Sequence, residues 1–175
     1  MKQLLIIIML AFCCMAVNAQ SKATKRPATT KKTSVQKKTA TTAVDYDKLL
    51  VGNHMFSSQW ISWKKFGKAT ITKTDTPNVY NISGMQDGTT CSDLEEAHDN
   101  ADFLMIEGTI TPKSKTHLVF KGKIIQKIYH LSDGKPCVRE GTFNFMSTQG
   151  RRYWRLQERS NPCDSVCDYI DIYFK

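Results

Sequence analysis

Acidic residues are missing from the first part of this chain: none of the 16 precedes Asp45. Between Ser21 and Ala43 there is also no aromatic residue and a single large aliphatic, Val35, against the cations Lys22, Lys25, Arg26, Lys31, Lys32, Lys37 and Lys38. Such a stretch cannot bury enough apolar surface to offset the entropy lost on ordering. It excludes a folded N-terminal domain and predicts a disordered Thr/Lys-rich linker over residues 20–43.

Long apolar runs are lacking as well. The run Leu4–Val17 falls short of the ~20 apolar residues that a membrane-spanning helix needs. Lys2 lies ahead of it and the small-residue exit Val17-Asn18-Ala19 behind, the pattern of a cleavable signal peptide over residues 1–19. The mature protein is therefore expected in a secreted or periplasmic location. Cys13 follows Phe12 and Cys14 follows another cysteine, whereas a lipidated cysteine would follow a small residue.

The net charge of +9 is a property of these ends. Setting aside Lys2 and the linker cations leaves 17 basic residues against 16 acidic ones in residues 44–175. A nearly neutral, exported domain has no reason to bind nucleic acid. The linker would find its contacts, if any, among anionic envelope polymers.

Catalytic and metal signatures are absent too. No glycine-flanked nucleophilic serine occurs, and His54, His98, His117 and His130 show no metal-binding helical spacing. The acidic stretch DLEEAHDNAD offers Asp93, Glu95 and Asp99 as weak cation ligands, but its spacing matches no EF-hand and it lacks the central glycine. It reads as a solvated loop, with no metal, no cofactor and no enzyme activity expected.

What is present is alternation. Residues 44–175 are enough for one domain with a sizeable core. Period-two patterns bounded by turn residues predict strands near 54–63, 66–73, 78–85, 102–110, 116–129, 136–146, 151–158 and 167–174. Turn chemistry marks Asp75–Asn78, Thr111–Ser114, Ser132–Pro136 and Gln149-Gly150. The one candidate helix follows Ser92, where Ser92 and Glu95 have capping-box spacing. Short connections imply an antiparallel meander.

Four strands give up a side chain on their apolar face. Gly84 in ISGMQ, Gly108 in IEGTI, Gly122 in FKGKI and Gly141 in REGTF each lie in phase with the isoleucines or phenylalanines of their own strand. Glycines on the concave face let a sheet bend without inner side chains colliding. The expectation is an all-β, antiparallel up-and-down barrel of about eight strands, with a twisted β-sandwich as the alternative. Half of the expected strands are shorter than the 9–11 residues of an outer-membrane barrel.

The mature chain carries Cys91, Cys137, Cys163 and Cys167, an even number suited to an oxidising compartment. Strand parity puts all four at one end, where two disulfides would pin the longer loops. Three pairings are possible, and Cys91–Cys137 with Cys163–Cys167 is favoured. CDSVC has three intervening residues where the oxidoreductase motif has two. In RRYWRLQER, Trp154 and Leu156 share one face and Tyr153, Arg155 and Gln157 the other: a core tryptophan backed by a Tyr-Arg surface suited to contacts.

Signal, linker and eight-strand meander together resemble the small secreted lipocalin-like (calycin) barrels. That resemblance covers layout alone, because Gly52 is followed by Asn53 and His54 where the family has Gly-x-Trp, and no family residue carries over. It implies a carrier of a small apolar ligand; the chain's own residues offer Phe120, Phe143, Phe145 and Trp154 as candidate interior contacts, in a non-enzymatic monomer. The alternative is an adhesion or inhibitor module with a filled barrel and a protein or glycan partner.

Overall fold

A computed structural model describes residues 43–88 and 102–175. Eight antiparallel strands close into an up-and-down barrel in chain order. They are β1 (Gly52–Ser58), β2 (Gly67–Lys73), β3 (Tyr80–Asp87), β4 (Phe103–Ser114), β5 (His117–Lys127), β6 (Cys137–Met146), β7 (Tyr153–Leu156) and β8 (Ile170–Tyr173). The ring is closed by β1 pairing with β8, so neither the first nor the last strand is left as a free edge.

Three of the four glycines have the role their phase predicts. Gly108, Gly122 and Gly141 stand side by side across β4, β5 and β6. A Cβ on Gly122 would lie 2.2 Å from Glu107 O and 2.8 Å from Phe120 Cζ, and one on Gly108 would lie 2.8 Å from Phe120 Cε2. The Phe120 ring thus occupies the space that two missing side chains leave. Gly84 does the same for Ala69, whose Cβ would be 2.8 Å away. Gly141 differs, since nothing lies closer than 3.9 Å to its Cβ position.

The interior is filled from all eight strands. Phe56, Ile71, Ile82, Ile106, Phe120, Phe145, Trp154 and Ile172 are fully or almost fully buried. Phe120 stacks on Phe143 at 6.0 Å between centroids and meets Phe145 edge-on at 6.1 Å. Burying each large apolar side chain contributes about 1.5–3 kcal/mol.

Several boundaries differ from the sequence reading. A five-residue helix, α1 (Tyr46–Leu50), precedes β1 although none was expected there. Asp45 caps it by accepting from Lys48 N. The helix plugs one end of the barrel with Leu50, and the His54 ring spans Leu50 O and Tyr173 O. β1 stops at Ser58, where Ile61 N and Ser62 N turn back onto Ser58 O. The turn expected at Thr111–Ser114 is instead strand: Pro112 sits at a register shift in β4, and the chain reverses after Ser114. β7 is short because it pairs with β6 at just Phe145–Leu156 and Met146–Arg155. The helix expected after Ser92 lies outside the described residues, as do the signal and linker segments.

Candidate functional site

The two ends of the barrel are unlike. Connections 74–79, 115–116 and 147–152 share one end with α1, while 59–66, 128–136 and 157–169 share the other with Gly88 and Asp102. The second end, the rim, holds Cys137, Cys163 and Cys167, in agreement with strand parity.

Cys137 is joined to Cys163, with Cα atoms 5.9 Å apart. This corrects the favoured pairing of Cys91 with Cys137 and of Cys163 with Cys167. Because the β6–β7 ladder ends near Phe145, the 157–169 loop is free to fold back over the start of β6, which brings Cys163 to Cys137. Asn161 turns that loop by accepting from Cys163 N. Cys167 instead forms a backbone β-bridge with Ser160, and its exposed thiol has no partner among the described residues. Cys91 lies outside the described residues.

Beneath the rim the interior turns polar. Asp168 is fully buried and its Oδ1 accepts from Trp60 Nε1 at 2.8 Å and Gln126 Nε2 at 3.4 Å. Arg139 Nη2 faces Asp168 Oδ2 at 3.0 Å, an ion-pair contact whose angle is not that of a hydrogen bond. Arg139 Nη1 donates to Glu158 O. Burial lowers the Arg139 pKa, while Asp168 and Glu158 act to raise it. Arg139 Nη2, Asp168 Oδ2 and Gln126 Oε1 remain buried without a hydrogen-bond partner among the described residues. The first two offset each other as an ion pair; a buried acceptor such as Gln126 Oε1 costs about 1–3 kcal/mol unless water or a ligand meets it.

This constellation was missed in the sequence, although a signal existed. Arg139 is in phase with Gly141, Phe143 and Phe145, and Gln126 with Phe120 and Ile124. A polar residue in phase with a core face marks a buried partner. Among the four expected interior contacts, Phe120, Phe145 and Trp154 are fully buried in packing, and Phe143 is half-buried, its ring 3.9 Å from where a Gly141 Cβ would lie.

On the outer wall of β7 and β8 the Tyr-Arg face is ordered as a ladder. Arg155 makes a two-pronged contact with Asp171, at 2.7 and 2.6 Å. Its guanidinium lies over Tyr153 at 4.9 Å and Tyr169 at 4.2 Å, with Arg151 and Arg159 extending the stack at either end. The Asp171 hydrogen bond raises the Arg155 pKa further; burial raises that of Asp171 despite Arg155. Elsewhere on the wall, Met55, Met85, Met105 and Val138 are exposed, joined through Lys68 and Ile125 in one register line across six strands.

Among the described residues no three His, Cys, Asp or Glu side chains are grouped to hold a metal. Asp93, Glu95, His98 and Asp99 lie outside those residues.

A model of the PM1083 family matches residues 32–174. The uncharacterised protein PM1083 of Pasteurella multocida strain Pm70 is 35% identical over 174 residues, which cover 99% of this chain and 96% of that protein. No solved structure matches the chain.

Proposed function

The chain belongs to the PM1083 family, and from its geometry we propose an exported, non-enzymatic binding module that meets a protein partner with its barrel filled. The observation that carries this reading is the packed interior: Phe120 meets both Phe143 and Phe145, and Trp154 packs on Phe174 at 4.2 Å. An eight-stranded barrel is just wide enough for side chains to fill. Lipocalin-like proteins share the closed layout, but a carrier would need these rings displaced.

The contact chemistry is then outside. Tyrosine, arginine and methionine are enriched in protein interfaces, and the Tyr153–Arg155–Tyr169 ladder holds such groups in fixed positions. Cys137–Cys163 fixes the rim loop beside it, as suits an oxidising compartment.

A second reading rests on one spot. The uncrowded position at Gly141, the half-buried Phe143, the Arg139–Asp168 pair with its unused hydrogen-bonding capacity and the unbonded Gln126 Oε1 favour a small polar-headed ligand under the rim. Methyl NMR of the Ile82, Ile106 and Ile124 side chains during addition of the neutral probe N-phenyl-1-naphthylamine separates the readings. The filled module keeps these methyls unmoved; a saturable shift of Ile106 and Ile124 would establish a carrier and remove the proposal.

A further inference from the structure

The sealed end carries a hollow of about 490 Å³ that neither reading uses. Its apolar lining comes from Val44, Leu49 and Phe174. Around them stand Lys48 of α1, Lys115 of the β4–β5 turn, Arg152 ahead of β7 and Lys175 after β8. Asp45 is the one acidic side chain in the lining, and its Oδ1 already accepts from Lys48 N.

The cations are brought together by separate parts of the chain, each tied in place. Trp154 Nε1 donates to Lys115 O at 2.9 Å, Phe174 N donates to Arg152 O at 2.9 Å, and Lys175 Nζ donates to Val51 O. Among the described residues none of the four takes part in a salt bridge. Like charges gathered over an apolar floor repel one another and concentrate a positive potential there. An anion relieves that repulsion, and an attached hydrocarbon covers the floor.

We propose that this hollow binds an amphipathic anion, a single acyl or alkyl chain with a carboxylate, phosphate or sulfate head. The head sits among Lys48, Lys115 and Arg152, and the chain lies against Val44, Leu49 and Phe174. The residues that precede Ala43 are poor occupants, because the linker has seven cations and no acid.

The test uses the mature chain and ¹H–¹⁵N spectra, read at Leu49, Phe174 and the Trp154 indole N–H, whose acceptor Lys115 lines the hollow. Decanoate, below its micelle-forming concentration, should shift these signals saturably. Inorganic phosphate alone and 1-decanol should each bind about tenfold more weakly or worse, because each supplies half of the interaction. The exposed pair Lys48→Glu and Arg152→Glu should weaken decanoate by about tenfold or more and leave 1-decanol unchanged; Lys115→Ala serves the same purpose should the double variant not fold. Absence of shifts, equal affinity for 1-decanol, equal affinity for phosphate, or undiminished binding by the charge variants would each overturn the proposal. The interior methyls of Ile106 and Ile124 report separately, so failure here is distinguishable from failure of the filled-barrel reading.

Discussion

Gly122 faces Gly108 across β4 and β5 so closely that a Cβ built on either would lie 2.7 Å from the other's Cα. The barrel bends at this point because neither strand has a side chain to place there, and Phe120 closes over both. Gly122→Val should therefore cost about 1–3 kcal/mol or more through overpacking. Lys121→Val and Lys123→Val lie on the outer face and should be tolerated, the second losing one exposed ion pair with Glu140 worth about 0–1 kcal/mol. Denaturant midpoints give the sign; a Gly122→Val protein as stable as the parent would refute the bending argument.

The cysteines make a prediction about connectivity. Peptide mapping of the natively produced protein under non-reducing conditions should recover Cys137 linked to Cys163. Should all four mature cysteines be oxidised, the remaining bridge is Cys91–Cys167. Loss of Cys137–Cys163 by paired serine substitution should cost about 2–4 kcal/mol, read from thermal unfolding. Recovery of Cys163 linked to Cys167 would contradict the fold of the rim loop.

α1 supplies a third expectation. Cleavage of the chain before Val44 should leave the melting temperature unchanged, because the Asp45 cap and Leu50 plug stay intact. Leu50→Ala, by contrast, should destabilise by about 2–5 kcal/mol. A loss of stability on removing residues 20–43 alone would show that the linker packs on the barrel.

Tyr80 links stability to alkaline pH. Its hydroxyl donates to Asp47 Oδ1 at 2.8 Å, and burial first, then this hydrogen bond and the Asp47 charge, push its pKa up to about 12 from an ordinary 10.0. The folded state thus holds a proton that the unfolded chain releases. Its contribution is complete below pH 10.0 and disappears as pH rises toward about 12. Tyr80→Phe should flatten the loss of stability in that window, measured as denaturant midpoint against pH; an unchanged slope would contradict the assignment.

The fold was legible because its signal is local. Alternation located the strands, and the phase of Gly84, Gly108, Gly122 and Gly141 pointed to closure before any pairing was known. α1 escaped because five residues with Leu50 alone buried carry no periodicity. Pro112 suggested a turn, yet a register shift in β4 accommodates it. The buried ion pair was hidden for a different reason: Arg139 and Asp168 meet across a loop whose path follows from the early end of the β6–β7 ladder. Arg139 in phase with Phe143 and Phe145, and Asp168 in phase with Ile170 and Ile172, each marked a buried polar position; what the sequence did not show is that the two positions meet.

The filled interior is the central claim, and a crystal held under xenon pressure tests it most directly. Xenon enters dry apolar cavities of sufficient size. With the native chain it should find no site between Phe56, Ile106, Phe120 and Phe145, whereas Phe120→Ala should open one at that position. Xenon density among those side chains in the native protein would show a cavity there and contradict the account.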